Sequence, residues 1–433
     1  MDNDLEMLHL LALEEEEDMA EDEDQIYRAA LTGALIYLGA AESRKRRGAR
    51  RQRLYLVRNE LLPNPRVGTP WQRLLDSRSD PAYITTMGID VTTFTYILDS
   101  GFTEHWNATP IPRADCPGTA VPRLNSRSLD AAGALGLILH YLNSTMREVS
   151  LMQIFALIPS TVSRYITFTL TILLSVLRVI PESEVRWLIG DEFQSNNDLI
   201  IVRHNLLTGA FGSMDGLNLA VQTSTNQEIE NATFNGWLHD HFVSSVLAFG
   251  ASGVIIACKL NAPGSWHDSR VARPIYEKLR AETPEGYYLV TDTAFPRGTD
   301  QIKGRIKAPM KDGTRLPADP VARKAAMAFD RQLLSYRQTA EWGMRAVQGS
   351  FGRLRVPLEI NFEARRGDLL ETVVRLYQIR TRLVGINQIR SVYMPIWREN
   401  EQEQLWSHFE DILFRDQRKM DRVSRFHCIE EDT

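Results

Sequence analysis

Three acids in this chain sit where acids are costly. Asp215 interrupts the apolar stretch "LTGAFGSMDGLNLAV" (207–221), and Asp292 ends the strand-like "GYYLVTDTAFP" (286–296). Glu341 lies in "RQTAEWGMRAVQGSFGRLR" (337–355), which reads as helix. Carboxylates are poor strand residues and are expensive to bury unpaired. Taken alone, Asp292 reads as a turn or capping aspartate. Brought together, three carboxylates repel one another unless a cation intervenes. Oxygen-only donors with room for water and phosphate suit Mg²⁺ or Mn²⁺. Two such ions, about 3.5–4 Å apart, can activate a nucleophile and stabilise the leaving oxygen of a phosphodiester.

The elements that would have to position these acids follow from the pattern around them. A strand is expected around Asp215. "HFVSSVLAFGASGVIIACKLNA" (241–262) reads as two strands joined by an Ala-Ser-Gly turn. A helix over "SWHDSRVARPIYEKLRA" (265–281), capped by Ser265, leads to a fourth strand ending at Asp292. Long helices follow, from about Asp319 to Leu354 and over "RGDLLETVVRLYQIRTRLVGIN" (366–387). The hairpin must be antiparallel, and the fourth strand, reached through a helix, can be parallel. The first and fourth strands can then be neighbours, with Asp215 beside Asp292 and a helix bringing Glu341 across. Glu359 and Glu363 are nearby alternatives for the third acid.

Two further patterns carry candidate chemistry. His267 and Asp268 fall in the first turn of their helix, where an acid can simply favour the helix dipole. In "HDH" (239–241) the two histidines would share a strand face, but no Cys or third His accompanies them, so a metal site is not expected. Trp237, Trp266, Trp342 and Trp397 read as packing residues, although one at a rim could stack on an unpaired base.

Upstream, residues 70–190 are expected to be mainly helical. Ser128 is a candidate N-cap for "AAGALGLILHYL", and Ser150 with Gln153 would open a short helix ending near Leu157. After the break at Ile158-Pro159, Ser160 or Thr161 would cap a longer helix. Short helix, break and longer helix outline a helix-turn-helix near 144–176, with Arg147 and Arg164 as candidate DNA contacts. Two packed core helices would give the same outline. The apolar run "YITFTLTILLSVLRVI" (165–180) is shorter than the ~20 residues of a membrane span and reads as a buried helix; no membrane association is expected.

The 433 residues allow two or three domains, and 43% apolar content is ordinary for a globular chain. Three cysteines without paired spacing point to a reducing compartment. The net charge of −5 hides an asymmetry. Residues 1–25 hold twelve acids and no Lys or Arg, so the remainder carries 50 basic against 43 acidic residues. The mildly basic body permits a nucleic-acid partner. "RKRRGARRQR" (44–53) has seven basic residues in ten, with Arg44, Lys45, Arg46 and Arg47 leading. It reads as a nuclear localisation signal or a DNA-phosphate contact, or else as a solvated linker.

Four blocks, "GSMDG", "NAPGSWHDSR", "VTDTAFP" and "AEWGMRAVQGSFGRL", in that order, resemble the DDE superfamily endonuclease domain of PIF/Harbinger transposases, closest to fungal Harbinger elements. The resemblance covers about 195–395, and the region from about 120 is similar to the family's helix-turn-helix. It implies an α/β RNase H-like domain, a mixed sheet flanked by helices, behind a mainly helical region. It also implies Asp215, Asp292 and Glu341 as catalytic, metal-binding residues for two divalent ions, Mg²⁺ or Mn²⁺. His267 and Asp268 would lie beside them. The third block reads Thr-Asp-Thr-Ala-Phe where the family has Gly-Asp-x-Gly-Tyr, and the fourth reads Glu-Trp-Gly-Met-Arg where it has Glu-x-x-Phe-Gly.

The expected organisation is an acidic tail (1–25), a basic segment (26–70), the helical region (71–190), the endonuclease domain (195–395) and a helical tail (396–433). The implied activity is cutting of double-stranded DNA at terminal inverted repeats and joining of the 3′ ends to target DNA. A nuclear location, a homodimer or larger assembly and a Myb-like DNA-binding partner accompany that activity. A domesticated descendant that binds DNA or chromatin without cutting is the rival from another class, and a host endonuclease is a third reading.

Overall fold

The computed structural model describes residues 27–42, 64–112, 121–296, 302–311, 313–387 and 389. The basic run 44–53, Trp397 and both termini lie outside the described residues. The chain divides into two compact units, residues 1–61 and 62–433. In the first, residues 27–42 form a helix.

The second unit begins with four short helices, α1 (Pro70–Ser77), α2 (Asp80–Met87), α3 (Val91–Ile97) and α4 (Thr103–Ala108). Three more helices follow: α5 (Ala131–Asn143), α6 (Glu148–Phe155) and α7 (Pro159–Leu177). Their boundaries differ from the expected caps. Asp130 caps α5 by accepting the Gly133 N–H at 2.7 Å, whereas the Ser128 N–H donates to the Tyr165 hydroxyl. Helix α6 starts at Glu148 without a side-chain cap, which puts Ser150 inside it. Pro159 opens α7 with Ile158 at the N-cap, so neither Ser160 nor Thr161 is needed: proline has its φ pre-set and no N–H to satisfy. Helix α7 is long and apolar enough to cross a membrane, yet Val162, Tyr165, Ile166, Leu170, Leu173 and Leu177 bury it in the core. Its exposed strip is Ser160, Arg164, Thr167, Thr171 and Ser175, and Arg147 is exposed just before α6.

After α8 (Glu192–Ile201) comes the sheet: β1 (Ala210–Ala220), β2 (Phe234–Asn235) after the short helix α9 (Gln227–Thr233), β3 (Asp240–Gly250), β4 (Ile255–Pro263), β5 (Tyr288–Thr291) and β6 (Ile306–Lys307). Strand β1 pairs antiparallel with β3 and parallel with β5; β6 adds parallel to β5, and β4 adds antiparallel to β3. The sheet is therefore mixed, with β1 and β5 adjacent and parallel, an arrangement the patterning allows. The segment expected to be one helix after β4 splits into α10 (Asp268–Val271) and α11 (Arg273–Ala281). His267 is the N-cap, not Ser265, and Pro274 restarts the helix. Helices α12 (Pro320–Ser350) and α13 (Glu363–Ile379) complete the unit, with Asp319 capping α12.

Burial shows why the strands lack strict alternation. Val246 and Ala248 of β3 pack with Ile275, Leu279 and Phe211 on one face. Leu247 and Phe249 pack with Ala340, Met344 and Val374 on the other. A sheet covered on both faces reads as continuous apolar sequence. Gly343 lets α12 press onto β3: a Cβ there would meet the Phe249 ring at 2.6 Å. The second core also joins the sheet to the helices upstream, since Trp71, Leu137 and Leu173 belong to the cluster holding Leu217, Phe249 and Leu376.

Candidate active site

Residue types along β1 aim Asp215 at α12. Ser213, two residues earlier and on the same strand face, shares a 2.6 Å hydroxyl contact with Thr339 of α12. Asp215 therefore opens onto the stretch of α12 that carries Arg337 and Glu341. The last paired residues of β1 and β5 are Met214 and Thr291, which leaves Asp215 and Asp292 as the next residues on neighbouring parallel strands. Asp215 is half-buried, and its Oδ1 accepts its neighbour Gly216 N–H at 2.8 Å. Burial pushes its carboxyl up to about 7; the Gly216 N–H and Arg337 oppose that, while the charges of Asp292 and Glu341 add to it. Those three side chains are thus within electrostatic reach of Asp215.

Asp292 also does what a turn aspartate does. Its Oδ1 accepts the Ala294 N–H at 2.6 Å and shapes the turn after β5. Glu341 does not point its charge at the aspartates alone: Arg337 Nη2 donates to its Oε1 at 2.5 Å, one helical turn away. Among the described residues, no group of three or more His, Cys, Asp or Glu side chains is gathered closely enough to hold a metal ion. The donors themselves fit a hard divalent cation. They are carboxylates only, one is held toward its neutral form by burial, and their like charges are what a cation would relieve.

Asp268 approaches from elsewhere. A Cβ built on Gly216 would stand 2.4 Å from Asp268 Oδ2, so glycine is what lets this carboxylate lie against β1. Successive side-chain positions alternate along a strand, so Asp268 meets β1 from the face opposite Asp215. Burial raises its carboxyl above the usual range, His267 opposes that, and Asp292 adds to it. His267 is exposed, and its Nδ1 engages Ser269 at the start of α10. Next to it, the Arg270 guanidinium stacks on Trp266 at 3.8 Å.

His239 sits in a left-handed turn before β3, so it does not share a strand face with His241, which pairs with Glu230 at 2.8 Å. Trp237 is 77% exposed and so is not a packing residue, whereas Trp342 packs against the core. Arg147 is the residue just before α6 and Arg164 lies on α7, and Arg44, Lys45, Arg46 and Arg47 lie outside the described residues. Sequence reasoning missed Arg337. The signal was the four-residue step from Arg337 to Glu341, which places the two on one helix face.

Residues 214–378 match the DDE superfamily endonuclease family. The matched span covers under half of the chain, but it begins one residue before Asp215 and contains Asp292 and Glu341. It supports a DDE-type transposase relationship, a metal-dependent nuclease function and DNA as the substrate class. Comparison with curated proteins and with solved structures gives no match. The mixed, helix-flanked sheet is consistent with the RNase H-like architecture of a DDE endonuclease.

Proposed function

We propose that this protein is a DDE transposase of the PIF/Harbinger type, cutting DNA at terminal inverted repeats and joining the 3′ ends to target DNA. The observation that carries this reading is the placement of Asp215 and Asp292 just past the last parallel pair of β1 and β5, with Glu341 of α12 in electrostatic reach. In this reading Asp215, Asp292 and Glu341 hold two divalent ions, Mg²⁺ or Mn²⁺. Bound there, such ions lower the pKa of a water and take up charge from the phosphodiester. Asp215 is fixed by its pairing with β3 and Asp292 by the turn after β5, so they offer pre-positioned oxygens and need little rearrangement. Water attacks the phosphorus, a new P–O bond forms and the bond to the 3′ oxygen breaks, with the proton ending on that oxygen. The freed 3′-hydroxyl then attacks a target phosphodiester in line and releases the target's own 3′ oxygen.

The PIF/Harbinger assignment rests on the four ordered sequence blocks. Arg147 just before α6 and Arg164 on α7, with the basic run at 44–53, are proposed to hold DNA phosphates. A nuclear location, a dimer or larger assembly and a Myb-like partner belong to the same proposal. The test is a joining assay: a labelled duplex ending in the candidate inverted repeats, a plasmid target, Mn²⁺ and any Myb-like partner. Joined product is expected. Nicks without joining would favour a host endonuclease, and binding without nicks would favour a domesticated DNA-binding protein. Inverted repeats flanking the gene, with short duplications outside them, would independently favour an element's own transposase.

A further inference from the structure

Arg337 is a cation set among acids, and the reading above gives it no task. It lies on α12 one turn before Glu341, with its side chain 12% exposed against 30% for Glu341. Its charge reaches Asp215, and its Nε is buried without a hydrogen-bond partner among the described residues. A guanidinium stays charged under all ordinary conditions, so a poorly hydrated one needs an anion beside it. Here that anion is Glu341. If Glu341 turns toward a divalent cation, Arg337 loses its counter-charge and gains a cation as neighbour. The anion that bound DNA would bring is a backbone phosphate, whose oxygens match the guanidinium fork. The pair is also suited to exchange: Arg preceding Glu by four residues is the weaker order for a helical ion pair.

We propose that Arg337 is a substrate-linked counter-charge, holding Glu341 in the DNA-free protein and passing to a phosphate of bound DNA, which frees Glu341 for a divalent cation. The proposal rests on the nuclease reading for the role of Glu341. It makes Arg337 a positioning residue and couples DNA binding to cation binding. Such coupling is reciprocal, so each ligand tightens the other by the same factor.

Two measurements on the full chain test this, neither requiring cleavage. In EDTA, anisotropy of a short fluorescein-labelled duplex is expected to show Glu341→Gln binding DNA about 5-fold more tightly than wild type, because Arg337 is released. The double variant Arg337→Gln/Glu341→Gln is expected to lose that gain. In calorimetry with Ca²⁺, DNA is expected to tighten Ca²⁺ binding by wild type about 5-fold or more. Arg337→Gln should bind Ca²⁺ more tightly without DNA and gain nothing from its addition, while Arg337→Lys should keep part of the coupling. Thermal melts check that each variant folds; should Arg337→Gln fail, Arg337→Lys and Glu341→Gln carry the test. Full coupling in Arg337→Gln, a Glu341→Gln gain that survives loss of Arg337, or no Ca²⁺ binding by wild type would each overturn the proposal. A protein that couples DNA to Ca²⁺ through Arg337 but never cuts would keep this inference and refute the nuclease. Cutting with coupling indifferent to Arg337 would do the reverse.

Discussion

Asp215 shows the tension that marks the site. A carboxyl pushed up to about 7 binds its proton more tightly in the folded chain than in the unfolded one. Its ionisation therefore costs stability: nothing below about pH 4, progressively more up to pH 7, and the full amount above that. Asp215→Asn keeps an oxygen for the Gly216 N–H and removes the charge. In EDTA at pH 8 this variant is expected to be more stable than wild type, by on the order of 3 kcal/mol. The gain should vanish as pH falls toward 4. Added Mn²⁺ should stabilise wild type and not the variant. Denaturation curves across pH, with and without Mn²⁺, check all three statements; a less stable Asp215→Asn in EDTA would show that the charge is already compensated.

At the scale of elements, β1 and α10 meet at Gly216 and Asp268 with no room for a methyl group. Gly216→Ala is expected to cost about 1–3 kcal/mol by overpacking. Asp268→Ala in the same chain should relieve most of that, because it removes the clashing carboxylate. A double-mutant cycle by chemical denaturation reads the coupling directly; purely additive losses would mean that α10 shifts away freely. The strands themselves were legible. Their apolar runs, the Ala251–Gly253 turn and the helix before β5 required an antiparallel hairpin and allowed a parallel neighbour. The helix starts were not, because several hydroxyls and acids compete for each cap and the winner depends on what else occupies them. At α5 the cap goes to Asp130, two residues past Ser128, and prolines open α7 and α11. The acids of the site were visible as residues out of place. Arg337 was not, since a basic residue on an amphipathic helix looks like any solvated one until its Glu341 contact is seen.

For the whole molecule, one apolar cluster runs from Trp71 through α5 and α7 to the sheet and α13. Sequence composition changes near residue 195, yet the core crosses that point, because α7 and α13 pack together through faces whose pairing no local pattern reveals. Among the described residues, His140 and His204 are buried. His204 is held down to about 3 by burial and by Arg203, and burial also lowers His140, whose Nδ1 lies 2.9 Å from the Gly136 carbonyl. Both are neutral when folded and take a proton when unfolded below about pH 6.5. For His204, stability is therefore expected to hold above that pH and to fall by roughly 1.4 kcal/mol per pH unit on acidification toward pH 4, and His140 acts in the same direction. Urea midpoints at pH 7.5 and 5.0 check the sign, and His204→Asn should flatten the slope.

The central claim is that the paired acids make a metal-dependent nuclease. The most direct measurement is cleavage of a labelled duplex carrying the candidate ends, with any Myb-like partner present, comparing wild type and Asp292→Asn in Mg²⁺, Mn²⁺ and EDTA. The prediction is cutting by wild type with either metal, none in EDTA, and a loss of at least about 100-fold in Asp292→Asn, as expected when a ligand to the reacting centre is lost. Wild-type protein that binds the duplex and leaves it intact in Mn²⁺, or an Asp292→Asn variant that cuts as wild type does, would contradict the account.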